Sequence, residues 1–508
     1  MKLVKSLLLG SAAGLIAVGG AQAADLPVKA KAVEYVKICS LYGAGFYYIP
    51  GTDTCVKLGG YLRAEVALNS GGHYNGQFSG VAGAHNRLTN YYSMRSRADL
   101  NIDTRTATEY GVVRTYFDAV FTWTSGSYSG TGTGLTGGST AYDSAPSGTS
   151  GSGSVAGGAL GVYYAFIQFA GFTMGKAVSQ FDAPWTNYPG NNFDQLVGGG
   201  GTVTGVNQFT YTADFGQGIT ASISAQDQTA YYQTNIWNTS GATAAGILGG
   251  AYGLNDIGGS RSPDIVGMVR VDQAWGLFQA SVAAHNNHAG YYGGNETTGG
   301  PSDKWGWAAA LALSIKNIPT GAGDVVNIQG VYTEGASRYN FQSLAATSYS
   351  MFSGSGNGAY QSVGFAGVSD AVFGAGTGLE LTKTYGMRGA FTHNWNPYWN
   401  TALYGAYGAV RYGSTAKGLI CGSAGMAALA LTGTCNPDFD IAQVGVITRW
   451  TPVKNLTFSG DFNWSRIDQK YSGTVAYGGN AATAKPAAVY ELKDQDSFTL
   501  LLRAQRNW

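Results

Sequence analysis

The chain has 508 residues, of which 12% are charged and 78 are glycine, and its 30 Lys and Arg nearly balance its 29 Asp and Glu. Charge at about half the usual share and glycine at about twice it exclude a basic nucleic-acid-binding face. They also argue against a string of ordinary soluble domains, whose surfaces carry more charge.

Mean hydropathy is near zero, at −0.05, yet beyond the first segment no run of ~18 apolar residues could cross a bilayer as a helix. Scarce charge and neutral hydropathy coexist when alternate side chains of a strand face lipid and water, as in a membrane β-barrel.

The first element is Lys2 and Lys5, an apolar stretch at 7–18 and the small-residue step Ala21-Gln22-Ala23. These are the three parts of a secretory signal peptide, so residues 1–23 are expected to be removed near Ala23. Residues 24–56 are expected to form an N-terminal segment holding Cys39 and Cys55. Residues 57–508 are expected to form an all-β, transmembrane antiparallel barrel.

Within that span the chain alternates with period two. Leu58, Leu62, Ala64, Val66 and Leu68 oppose Lys57, Tyr61, Arg63 and Glu65, and Met94, Ala98, Leu100 and Ile102 oppose Arg95, Arg97, Asp99 and Asn101. Trp305, Trp307, Ala309, Leu311, Leu313 and Ile315 share one face, as do Leu456, Phe458, Phe462 and Trp464. About sixteen strands are expected, centred near residues 62, 99, 117, 165, 175, 209, 224, 269, 283, 310, 330, 387, 405, 445, 462 and 502. Such a barrel keeps an aqueous lumen.

The connections alternate in length. Short ones fall at 214–218, 273–276, 394–397 and 451–455, and long ones at 125–158, 232–262, 337–378, 413–437 and 471–496. Short periplasmic turns and long extracellular loops are the pattern of a barrel inserted from the periplasm. Aromatic pairs at strand ends, such as Tyr91-Tyr92 and Tyr398-Trp399, suit the two interfacial girdles.

Chemistry-bearing motifs are sparse. Gly132-x-Gly134-x-x-Gly137 sits in a Gly/Ser/Thr-rich stretch with no helix behind it to hold a pyrophosphate. His285 and His288 have no cysteine or carboxylate beside them in sequence, so no metal site is expected. No catalytic set assembles, and no cofactor is implied. The four cysteines permit three pairings. The local ones, Cys39 with Cys55 and Cys421 with Cys435, would each close a short loop worth about 3 kcal/mol in an oxidising compartment.

Functional candidates are the inward charges. Arg63, Arg95, Arg97 and Arg114 share the polar phase of the first three strands, and Asp182 and Asp194 lie in the Pro- and Gly-rich segment at 181–203. If that segment folds into the barrel, acids would face arginines across a narrow opening and set up a transverse field that sorts solutes by charge.

The run from Cys39 through Tyr-Gly-Ala-Gly-Phe-Tyr-Tyr-Ile-Pro-Gly to Cys55, followed by Gly-Gly-Tyr-Leu-Arg-Ala-Glu65, resembles the N-terminal signature of the general porins of alphaproteobacteria. The last strand, from Phe498 to the terminal aromatic Trp508, resembles the signal that marks outer-membrane barrels for insertion, with Trp in place of the more usual Phe. The resemblance implies a homotrimer in the bacterial outer membrane, in contact with its lipid. It also implies a third extracellular loop folded into each pore, and passive passage of ions and small hydrophilic solutes. A channel preferring sugars or small acids, or a secreted adhesin, is the alternative. An energised receptor would need a plug and about 22 strands, more than this length supplies.

Overall fold

The computed structural model describes residues 37–70, 76–124, 159–227, 229, 231–353 and 361–508. The expected signal peptide, the connection at 125–158 and its glycine motif lie outside the described residues. The chain divides into two compact units, Met1–Val56 and Lys57–Trp508.

In the first unit, the Cys39–Cys55 disulfide closes around Phe46. Tyr47 and Tyr48 pair antiparallel with Val56 and Cys55. Phe46 meets the Tyr42 ring edge-on at 5.9 Å. So small an apolar cluster needs its covalent brace.

The second unit is a closed antiparallel barrel. Its first eight strands are β1 (Thr54–Leu68), β2 (Tyr92–Thr108), β3 (Gly111–Thr124), β4 (Ala159–Phe169), β5 (Phe172–Ala177), β6 (Val206–Asp214), β7 (Ile219–Gln226) and β8 (Asp264–Gln273). The rest are β9 (Gly276–Asn287), β10 (Lys304–Lys316), β11 (Val325–Glu334), β12 (Lys383–Asn396), β13 (Trp399–Arg411), β14 (Phe439–Val453), β15 (Leu456–Gln469) and β16 (Gln495–Asn507). Each pairs with its sequence neighbours, and β1 pairs with β16 from Tyr61↔Asn507 to Leu68↔Leu500, which removes both sheet edges. All sixteen expected centres fall inside these strands.

Alternation sets the two faces. On β10, Trp305, Trp307, Leu311 and Ile315 are exposed on the outside while Ala308, Ala310 and Ala312 are buried inside. On β15, Phe458 and Phe462 point out, and Asp461, Asn463 and Ser465 point in. So broad a belt of exposed large apolar side chains is the outer face expected of a membrane β-barrel. Trp399 stacks on Trp450 at 5.7 Å and Trp450 meets Phe458 at a tilt at 5.6 Å, near the short turns, where a girdle belongs.

Short turns share one end of the barrel. One of them, Ala170-Gly171, has both residues at positive φ, +48° and +85°, as a two-residue hairpin of this twist demands. A Cβ on Gly171 would also lie 2.8 Å from the Thr212 carbonyl.

The long connections share the other end and fold on one another. Asn235–Asn238, Leu254–Asn255, Ser369–Phe373 and Glu380–Leu381 make one small sheet; Ser348–Ser353, Ser362–Gly367, Thr474–Tyr477 and Ala488–Leu492 make another. Trp237, Tyr252, Tyr349, Phe365, Tyr412 and Tyr490 form an apolar core among them. The Cys421–Cys435 disulfide closes the connection at 412–438.

Candidate pore constriction

The segment between β5 and β6 leaves the wall and lies inside the barrel. Its apolar side chains Phe181, Phe193, Leu196 and Val197 are fully buried. Its backbone polar groups, which an irregular segment cannot pair with itself, are met by inward side chains of the wall. The fully buried Arg388 of β12 donates to the carbonyls of Leu196, at 3.3 Å, Thr186 and Gly200. Val197 N donates to Gln443 on β14 at 3.0 Å, and Asn192 N to Asp461 on β15 at 2.6 Å. Arg449 of β14 donates to the Gly190 carbonyl at 2.6 Å. Gly198 sits at φ +90° against β12, where a Cβ would collide with the Met387 carbonyl.

The segment is held from β9 round to β15, and its Phe193 also packs with Ala67 of β1 and Leu501 of β16; the space that remains is bordered by β16, β1, β2, β3 and β4. A cavity of about 860 Å³ lies there, bordered by Arg63, Arg95, Arg97, Asp99, Asp118, Tyr163, Tyr188, Asp194 and Arg503 among others. On its wall, Glu65 bridges two arginines, Arg95 at 2.6 Å and Arg503 at 2.5 Å. Arg95 reaches across to Asp194 of the inward segment at 3.3 Å, and Asp194 also accepts from Tyr188 at 2.5 Å. These charges sit in a confined space of low dielectric, where each acts more strongly than in bulk water.

Of the six charges singled out from the sequence, Arg63, Arg95, Arg97 and Asp194 come together at this cavity. Two do not. Arg114 lies nearer the short turn between β2 and β3, opposite Arg105, and is held by Asp103 at 3.0 Å. Its phase is right and its height is wrong. Asp182 is inside the segment but turns away from the arginines, accepting from Thr202 N and Oγ1 at 2.6 Å each and from the Tyr232 hydroxyl at 3.3 Å. Complete burial lifts its carboxyl above the usual range despite those bonds and the nearby Arg388.

Sequence reasoning left Glu65, Arg503, Tyr188 and Arg388 out of the site. Glu65 was visible in the same phase as Arg63, and its role appears once β16 is paired to β1. The two close histidines do find acids brought by the fold, His285 with Asp264 at 2.9 Å and His288 with Asp303 at 2.6 Å. These pairs belong to different neighbours and do not converge.

The family model of the Porin subfamily matches residues 25–501. Porin Omp2b of Brucella suis is 32% identical over 286 residues, covering 55% of this chain and 66% of that protein. Porin Omp2b of Brucella abortus (strain 2308) is 33% identical over 283 residues, covering 55% and 65%. The chain thus spans just under two thirds of the length of these curated relatives. The outer membrane channel DcaP of Acinetobacter baumannii shares the fold, with a TM-score of 0.56 at 14% identity over 91% of this chain and 99% of that one. Closed barrel, inward segment and family match agree: the chain belongs to the porin family of outer-membrane β-barrels.

Proposed function

We propose that the chain is a passive diffusion channel of the bacterial outer membrane, carrying ions and small hydrophilic solutes without catalysis, cofactor or energy coupling. The observation that carries this reading is the cavity of about 860 Å³ between the inward segment and a charged wall, inside a barrel whose outer face is apolar. Solutes would cross in water, and at the cavity they would meet Arg63, Arg95, Arg97 and Arg503 on the wall and Asp194 on the segment. Opposed charges there orient water and dipolar solutes, so passage depends on charge and size rather than on one tight site.

The full protein reconstituted in a planar bilayer should give discrete, ohmic conductance steps. A membrane that stays silent at saturating protein would overturn the reading.

The same proposal includes removal of residues 1–23, which N-terminal sequencing of the mature protein tests. It includes assembly as a homotrimer through the apolar outer faces, tested by cross-linking in detergent. Phe498 and Trp508 would serve as the terminal insertion signal. Trp508 is backbone-bonded to Gly60 at 3.2 Å and its side chain remains half exposed. Deletion of Trp508 should lower the assembled yield severalfold, and an unchanged yield would remove that role.

A further inference from the structure

Three acids near the cavity each hold a guanidinium. Glu65 bridges Arg95 and Arg503, Asp194 meets Arg95, and Asp103 meets Arg105 and Arg114 at 3.0 Å each. Asp99 of β2 and Asp118 of β3 break this pattern. Asp118 stands opposite Asn101 in the strand register, so Asp99 and Asp118 are diagonal neighbours on the inward face, and both border the cavity. Their carboxyl groups are within hydrogen-bonding reach of each other. Asn101 donates to Asp99 Oδ1 at 3.2 Å. Arg63 of β1 is near enough to attract Asp99, yet the two form no ion pair among the described residues, and its Nε donates to Gln505 at 2.8 Å.

Asp118 is the less compensated of the two. The charged group beside it is Asp99 itself, and the Tyr116 hydroxyl is its polar neighbour. Tyr164, opposite it on β4, donates its hydroxyl to the Val203 carbonyl at 2.6 Å. Asp99 and Asp118 are 5% and 7% exposed, and Asp118 Oδ1 is buried without a hydrogen-bond partner among the described residues. Two carboxylates in contact cannot both stay ionised unless something positive lies between them. A cation on the cavity side meets that need and gives the orphaned oxygen a partner. A monovalent ion would leave one negative charge uncompensated in a confined space, whereas a divalent ion cancels both.

We propose that Asp99 and Asp118 form a divalent-cation subsite on the pore wall, with calcium as the ion whose chemistry it fits. The proposal rests on the channel reading and adds to it a ligand that changes the charge of the pore. Calcium takes oxygen ligands in flexible geometry, and a cavity of about 860 Å³ has room for the waters that complete its shell. Two carboxylates make a weak site, with half-saturation on the order of 1 mM, and a conducting pore has to release what it binds. Occupancy would replace two negative charges on the wall by none.

The test is the reversal potential of the full protein in a potassium chloride gradient across a planar bilayer, with calcium chloride added to both sides. Calcium should move the potential toward anions with a half-effect on the order of 1 mM, and a chelator should restore it. D99N/D118N keeps the shape of both side chains and removes both charges. Its potential should lie toward anions before calcium is added, and its half-effect concentration should rise about 10-fold or more. D118N alone should fall between. Should the double variant fail to assemble, D118N and calorimetric titration of the native protein with calcium chloride decide in its place.

An equal calcium response in native and variant channels would overturn the subsite, as would a native channel that conducts and ignores calcium. A potential that follows pH but not calcium would assign the pair to a shared proton and overturn the cation site. Absence of conductance in any salt would instead overturn the channel reading.

Discussion

Two halves of one barrel wall follow the same alternation and do opposite things. From β12 to β15 the inward residues include Ala390, Ala402, Tyr404, Ala406, Ile441 and Ile447, which join an apolar core with Leu196 and Val197 of the inward segment. From β16 through β1 to β2 they include Arg503, Arg63, Arg95 and Arg97, which face the cavity, and Glu65, which bridges Arg95 and Arg503; Ala67 and Leu501 pack with Phe193 of the segment. Period two makes both halves barrel wall. The identity of the inward residue decides where the segment packs through apolar side chains and where it faces charge across a cavity.

The comparison can be broken most sharply at Arg388, which grips three carbonyls of the inward segment. Arg388→Ala leaves buried acceptors unpaired, at about 1–3 kcal/mol each. The segment should leave β12, raising single-channel conductance and the size of neutral polymer that enters, and lowering the thermal midpoint. Unchanged polymer exclusion would mean that the other anchors suffice.

Next in size is Glu65→Gln, on the charged half. It removes the carboxylate shared by Arg95 and Arg503, and breaking a buried ion pair costs about 3–5 kcal/mol. Denaturant unfolding in detergent should show the loss, and reversal potentials should move toward anions.

A smaller effect is expected from R95Q/R97Q. Loss of two positive charges should shift the reversal potential in a salt gradient toward cations, while the barrel still assembles. An unmoved potential would remove these residues from the constriction.

The smallest effect concerns His85, in the connection between β1 and β2. Burial lowers its pKa, with Lys485 nearby acting in the same direction and a hydrogen bond to the Gln77 carbonyl opposing. The unfolded chain would therefore take up a proton near pH 6.5 while the folded connection resists. Stability is full above that pH and falls as pH drops through it toward the lower folded value. His85→Gln should flatten this part of the pH–stability curve, and an identical curve would show that the site does not contribute.

Much of the barrel was legible because its physics is local. Side-chain alternation, turn chemistry and connection length are each set within a dozen residues, so every expected strand centre lies in a strand. The candidate constriction was legible only in part. Phase says which face Arg114 occupies but not its height along the pore axis, which depends on where the β2–β3 turn falls. The irregular segment has no period at all, so nothing local distinguishes Asp182, aimed at Thr202, from Asp194, aimed at Arg95. The role of Glu65 depends on contacts with both ends of the chain and becomes visible only when β16 closes on β1. The conformations of the long connections depend on distant partners, such as Trp237 with Tyr412.

The most direct test places a single thiol on either half. The native cysteines are all in disulfides, so Arg97→Cys and Ala402→Cys each introduce one reactive group. A charged methanethiosulfonate reagent should reduce the current of the Arg97→Cys channel and leave that of the Ala402→Cys channel unchanged. Sensitivity at 402 with none at 97 would place the water path on the other side of the barrel and contradict the account.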